Sequence, residues 1–294
     1  MPLSERIQVA LQYALPKLWL TQLSGVAASW RGGALTTAAI RRFIARYRVD
    51  MSEAAEPDPA TYASFNDFFT RALKPGARPL ASAAWICPVD GAISQFGPLQ
   101  GDRLVQAKGH TYTALALVGG DAELAAQFVG GHFATLYLSP RDYHRIHMPA
   151  AGRLRSMVHV PGDLFSVNPA TARGVPGLFA RNERLVCVFE HPDAPAATPW
   201  VLVLVGATIV GSMATTWHGV VNAQRPATIR QWDYGADAPV LAQGAELGRF
   251  LLGSTVVLLW PPGPMEFNPA WAPGGAIRMG SAMAQSTDQA TAAR

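Results

Sequence analysis

The chain has 294 residues, 49% of them hydrophobic and only 15% charged, with 27 glycines and 23 prolines. That composition excludes a disordered chain and argues against a helical bundle, because dense Gly and Pro punctuation around a sizeable core suits many short strands and turns. The formal net charge is +4, and the first fifty residues carry all of it and one charge more.

From Leu3 to about Val49, apolar residues recur at helical spacing: Ile7, Leu11 and Leu15, then Leu18, Trp19, Leu23 and Val26, then Leu35, Ile40, Phe43 and Ile44. The pattern predicts three short helices. Pro16 should separate the first two, because it lacks a backbone donor and restricts Leu15, and Arg31-Gly32-Gly33 marks the second break. Arg6, Lys17, Arg31, Arg41, Arg42, Arg46 and Arg48 stand here against Glu5 and Asp50. Basic, aromatic and aliphatic residues on one helix suit either a bilayer interface or packing on the helix's own domain, and sequence alone slightly favours packing. No nucleic-acid-binding fold or aromatic-basic sheet motif accompanies the charge, so no nucleic acid is expected. No run approaches the roughly 18 apolar residues of a membrane span. Pro16, Lys17 and Glu5 argue against a cleaved signal peptide, which leaves an uncleaved, cytoplasmic chain as the expectation.

Residues 50–85 read as a linker with a short capped helix at Ser64-Phe65-Asn66-Asp67-Phe68-Phe69. Strand-like runs follow at Trp85 to Val89, Phe133 to Leu138, Arg153 to Val160, Leu185 to Phe189, Trp200 to Ile209 and Ser254 to Trp260. The expected fold class is α+β, with N-terminal amphipathic helices and linker over 1–75, a β-rich catalytic domain over 76–280, and a small, polar, disordered tail over 281–294. Cys87 and Cys187 lie far apart in apolar runs and read as buried free thiols, which fits a reducing compartment.

Four places carry potential chemistry. Arg141-Asp142-Tyr143-His144-Arg145-Ile146-His147-Met148-Pro149 is dense in ionisable groups, and on a helical turn His144 and His147 would share a face. The pair lacks a third ligand, so no metal is expected. Asp90, in Val89-Asp90-Gly91, is a turn residue or an aspartate poised to orient a histidine. Ser254, in Leu252-Gly253-Ser254-Thr255, is a strand bulge or a nucleophile, and it lacks the Gly-x-Ser-x-Gly setting of a conventional hydrolase.

Taken together these motifs resemble the bacterial, membrane-associated phosphatidylserine decarboxylases. The likeness runs from Leu11-Gln12-Tyr13-Ala14-Leu15-Pro16-Lys17 through Gln106-Ala107-Lys108-Gly109-His110, Tyr137-Leu138-Ser139-Pro140-Arg141-Asp142-Tyr143-His144-Arg145 and Pro161-Gly162-Asp163-Leu164-Phe165-Ser166-Val167-Asn168 to Gly206-Ala207-Thr208-Ile209-Val210-Gly211-Ser212 and the Leu-Gly-Ser-Thr motif. The resemblance implies a proenzyme that cuts itself between Gly253 and Ser254. Residues 1–253 would form a β chain, and residues 254–294 an α chain beginning with a pyruvoyl group derived from Ser254. It further implies that Asp90, His147 and Ser254 form the self-processing triad, with His147 as general base toward the Ser254 hydroxyl, that His144 is the proton donor of decarboxylation, and that Tyr137 neighbours the substrate. The pyruvoyl cofactor would act as the electron sink for loss of carbon dioxide from phosphatidylserine.

The same resemblance implies a homodimer and peripheral attachment to the anionic, cytoplasmic face of the cell membrane, which turns the basic N-terminal segment into a docking element. Two other functions fit the residues: a serine hydrolase using Asp90, His147 and Ser254 without cleavage, and a non-enzymatic membrane-binding module.

Overall fold

Three helices, α1 (Leu3–Ala14), α2 (Lys17–Ser29) and α3 (Ala34–Tyr47), open the computed structural model. It describes residues 2–107, 109–193, 199–209, 212–222, 225–252 and 254–286, with the backbone alone at Ser254. Pro16 immediately precedes α2, and Gly33, at φ +56°, turns the chain into α3 through a backbone angle that favours glycine. A fourth helix, α4 (Phe65–Phe69), starts in a capping box. The Ser64 hydroxyl accepts the Asp67 N–H at 3.1 Å, and the Asp67 carboxylate accepts the Ser64 N–H at 3.0 Å. Phe68 and Phe69 pack with Ala28, Ile40 and Val49 and, from far along the chain, with Leu252.

The β-rich body confirms the α+β class and is built around one large antiparallel sheet. Its strands run in the spatial order Arg230–Asp233, Gly152–Val160, Arg184–Glu190, Trp200–Val205, Ser254–Trp260, His132–Leu138, Gly91–Pro98 and Ala276–Ile277, with Val240–Leu241 also paired to Gly152–Val160. The inner strands are buried on both faces because alternate side chains point to opposite sides. Val201, Val203, Val257 and Leu259 meet Phe133, Phe165 and Phe179 on one side. Leu202, Leu204, Val256 and Leu258 meet Leu136, Phe189 and Phe250 on the other. Double burial is why these strands read as unbroken apolar runs.

Two smaller sheets position the chemistry. One is ordered Gly219–Val220, Ser212–Thr215, Glu246–Leu251, Arg145–His147, and the other Trp85–Ile86, Ala282–Ser286, Met265–Phe267. The second corrects the expectation of a disordered tail from residue 281. Ala282–Ser286 is its middle strand, in which Ala284 stands opposite both Trp85 and Phe267 and Met283 is fully buried. Small side chains fit between two large aromatics, so the run looked bland where it is tightly packed. Residues 287–294 lie outside the described residues. Cys87 and Cys187 are buried and not joined in a disulfide.

Candidate active site

The chain passes from the Glu246–Leu251 strand of the four-stranded sheet into Ser254–Trp260, a central strand of the large one, through Leu252. Leu252 is held at φ +85°, a left-handed angle that costs a residue with a branched side chain about 1–3 kcal/mol. Its side chain is buried in the cluster of Phe68 and Phe69, which fixes the strained turn. Gly253 lies outside the described residues. The Ser254 backbone pairs with Leu138, and Thr255 stands between Tyr137 and Val205, so Tyr137 sits one position from the head of the strand. Tyr137, Leu138 and Leu252 line a cavity of about 220 Å³ together with Phe69 and, from α3, Phe43 and Tyr47. Burial raises the Tyr137 phenol above its ordinary value.

The histidines enter from a turn in which the Ser139 N–H and hydroxyl both donate to the Asp142 carboxylate at 2.7 Å. The chain here is extended and not a helical turn, so the two histidines do not share a helical face: Arg145–His147 is a strand and His144 precedes it. His144 is fully buried, its ring centroid 4.0 Å from that of Phe69. Its Nδ1 lies 2.8 Å from the Asp142 carbonyl, which assigns the proton to Nδ1 and the lone pair to Nε2, an atom without a hydrogen-bond partner among the described residues. Burial pulls the pKa of His144 down to about 3, so the ring is neutral.

His147 donates from Nδ1 to the Gly244 carbonyl at 2.8 Å and accepts the Tyr143 hydroxyl at Nε2 at 3.0 Å, while its backbone N–H meets the Pro88 carbonyl at 2.9 Å. Burial lowers its pKa as well.

Asp90 lies two residues beyond Pro88, close enough for its charge to favour the protonated His147. Its carboxylate is nevertheless committed elsewhere. It takes a forked contact from Arg78, with Nε at 2.9 and 3.2 Å and a closer approach from Nη2, and accepts the Met279 N–H at 2.8 Å. Arg78 also bonds Glu53 at 2.8 Å, and Glu53 contacts Arg278. The structure thus sets Tyr137 beside the head of the Ser254 strand, pairs the His144 carbonyl with the Phe250 N–H and His147 with Glu246 on the strand that leads there, and joins Asp90 to Arg78 rather than to His147. The sequence reading missed Arg78, Tyr143 as a partner for His147, the Gly244 carbonyl, and the aromatic wall from α3 and α4. Tyr143 could have been found, since it stands within the ionisable run itself.

A strained turn into a central strand, together with the buried, hydrogen-bonded His144 and Asp90 elsewhere in the same body, suits a sheet-borne enzyme better than a surface-binding module, which has no use for stored backbone strain. Comparison with known sequences gives the family. The phosphatidylserine decarboxylase pattern matches residues 65–285, and a second pattern, described only as PSD, matches residues 7–48. The chain is 68% identical over 281 residues to a phosphatidylserine decarboxylase proenzyme from Verminephrobacter eiseniae, covering 96% of this chain and 98% of the relative. It is 66% identical to the proenzyme of the same description from Chromobacterium violaceum, covering 96% and 100%. The chain belongs to the phosphatidylserine decarboxylase family.

Proposed function

We infer that this chain is made as a proenzyme, cuts itself between Gly253 and Ser254, and in its two-chain form converts phosphatidylserine to phosphatidylethanolamine and carbon dioxide. The observation that carries the reading is Leu252: in a chain of this family, a leucine held at φ +85° stands one residue before the Gly253–Ser254 bond that self-processing would break. The Ser254–Trp260 strand stays in place after cleavage, because it is laddered to His132–Leu138 on one side and Trp200–Val205 on the other. A pyruvoyl group derived from Ser254 would thus be held at the strand head, next to the cavity, whose Phe69 wall packs on the buried His144; the His144 Nε2 lacks a partner among the described residues. When present, that group supplies the electron sink that decarboxylation requires.

The chain's own residues have these roles in the reading. His147, neutral and anchored through Nδ1, offers Nε2 as general base toward Ser254 once that nitrogen gives up the Tyr143 hydroxyl. Asp90 favours the protonated form of His147 through space while Arg78 and the Met279 N–H hold its carboxylate still. His144 presents a lone pair at Nε2, so the resting ring accepts a proton before it can donate one to the substrate carbon. Tyr137 walls the cavity.

Phosphatidylserine places the substrate in a lipid surface, and the N-terminal helices fit that surface. Ile7, Leu11, Trp19, Leu23 and Val26 are exposed, as are Arg6, Arg31, Arg41, Arg42 and Arg46. Each arginine contributes about 1 kcal/mol near an anionic leaflet. Among the described residues no helix is long and apolar enough to cross a membrane. Peripheral docking on the cytoplasmic face and a homodimer complete the reading through the family resemblance. Intact-mass analysis of purified protein tests the core of it: two chains, with residue 254 lacking a free amine, and a Ser254→Ala variant that stays whole and releases no carbon dioxide. A single uncut chain that decarboxylates phosphatidylserine overturns it.

A further inference from the structure

Arg71 and Arg184 are both buried to within a few per cent, and they are partnered very differently. Arg184 donates Nε to the Leu117 carbonyl at 2.7 Å, Nη1 to that of Asn182 at 3.0 Å and Nη2 to that of Ala116 at 2.6 Å. It is a saturated structural tie. Arg71, 4% exposed, has one long contact from Nη2 to the Arg141 carbonyl at 3.5 Å, lies 5.4 Å from the centre of the Phe68 ring, and leaves Nε without a hydrogen-bond partner. No carboxylate bonds it among the described residues. A desolvated cation left this way is a folding cost that structure alone does not recover, and it is typical of a group that awaits an anion.

The position of Arg71 says which anion. It follows Phe69, whose ring lies against His144, and its Nη2 reaches the start of the turn that carries Asp142, Tyr143 and His144. Its guanidinium interacts electrostatically with Asp90, Asp142 and Tyr143, and in turn disfavours the charged form of His144. The cation therefore stands among the candidate catalytic side chains rather than on the outer surface.

We propose that Arg71 anchors the phosphodiester anion of the substrate headgroup, an assignment that rests on the activity inferred above. The substrate offers two anions, and the reaction distinguishes them. The carboxylate loses its charge as carbon dioxide departs, so a buried guanidinium on it would stabilise the ground state more than the transition state and slow the step. The phosphodiester keeps its charge throughout, so binding it lowers KM and leaves kcat alone. A forked guanidinium also matches phosphate oxygens geometrically, which an ammonium does not.

The test compares wild type with Arg71→Gln and Arg71→Lys as purified two-chain enzymes. Calorimetric titration with glycerophosphoethanolamine, which has the phosphodiester and no carboxylate, reads anion binding without turnover. Short-chain phosphatidylserine dispersed in detergent reads KM and kcat. Loss of a charge-assisted hydrogen bond predicts that Arg71→Gln weakens the titrated affinity and raises KM by about 10- to 100-fold with kcat within a few-fold, and that Arg71→Lys falls between. Unchanged affinity and KM with a lowered melting temperature would make Arg71 structural and overturn the proposal. A raised KM with unchanged affinity for glycerophosphoethanolamine would assign Arg71 to the carboxylate and overturn it equally, as would loss of self-cleavage in both variants at wild-type melting temperature. Should neither variant fold, wild type decides. It should bind a phosphate-methylated, uncharged analogue of glycerophosphoethanolamine at least about tenfold more weakly, and equal binding refutes the proposal. Wild type that binds glycerophosphoethanolamine through Arg71 but releases no carbon dioxide would refute the inferred activity instead.

Discussion

The buried neutral state of His144 has a measurable consequence for stability. Its pKa falls from an ordinary value near 6.5 to about 3 in the folded chain, chiefly through burial. Between those values the unfolded chain holds a proton that the folded chain refuses, so stability is complete above about pH 6.5 and falls as the pH drops toward 3. Two units below 6.5 the linkage amounts to about 2.7 kcal/mol, as an upper figure for a group this buried. His144→Asn retains an N–H for the Asp142 carbonyl and removes the titration. The assay is urea denaturation of both proteins at pH 7 and pH 4.5 in a Ser254→Ala background, so that each species unfolds as one chain. Carboxylates and His147, whose pKa burial also lowers, titrate alike in both proteins and cancel in the double difference. The Asn variant should lose about 2–3 kcal/mol less than its parent over this interval. Parallel losses in the two proteins would refute the burial argument, and with it the assignment of an accepting Nε2.

Two further outcomes follow from the same geometry. Arg78→Gln strips the Asp90 carboxylate of its forked partner and leaves it the Met279 N–H, which should cost about 3–5 kcal/mol in urea denaturation and slow the appearance of the two-chain form, with Arg78→Lys partly restoring both. Wild-type processing kinetics in Arg78→Gln would show that Asp90 is positioned by other groups. Gly248→Ala would put a Cβ 2.2 Å from the Ala214 carbonyl oxygen, inside the strand pair that leads to Leu252, so soluble yield and melting temperature should both drop. An unaltered melting curve would mean that the strand pair yields easily there.

The parts legible in the sequence are those where one residue type does one thing. Pro16 and Gly33 break helices wherever they occur, Ser64 and Asp67 form a capping box, and the run from Ser254 to Trp260 is a strand with the bounds its apolar residues suggest. The run from Trp200 was read too far, to Ile209. The strand stops at Val205 because Gly206 turns its N–H to the Glu183 carbonyl, and Thr208 bonds the Leu164 carbonyl instead of continuing the ladder. The electrostatics of the site were not legible. Arg78 and Asp90 are twelve residues apart, and their union depends on how the linker folds back on the sheet. The strain at Leu252 has no sequence signature either, since leucine does not favour a positive φ and is held there only by its burial against Phe68 and Phe69.

The N-terminal helices show why the choice between a packed amphipathic helix and a bilayer-facing one could not be made from periodicity. A helix packed on its own domain normally buries its apolar stripe. Here only a few apolar side chains, Val9, Ala28 and Ile40 among them, pack on the domain, and polar side chains bind it beside them. Gln12 accepts the Ser166 N–H at 2.9 Å and the Thr208 hydroxyl at 3.2 Å, and the fully buried Thr21 accepts the Ile209 N–H at 3.1 Å. The apolar residues Ile7, Leu11, Trp19, Leu23 and Val26 are left outside. An exposed stripe of this size on an otherwise well-packed chain is expected to meet an apolar partner. Ser166, Thr208 and Ile209 also wall the cavity beside Tyr137 and Leu252. The same helices thus present their greasy face outward and grip, with their polar face, the rim of the site. For an enzyme whose substrate keeps its acyl chains in a lipid surface while its headgroup reacts, docking of that outward face would bring the surface to the rim of the cavity, without a membrane-spanning segment among the described residues.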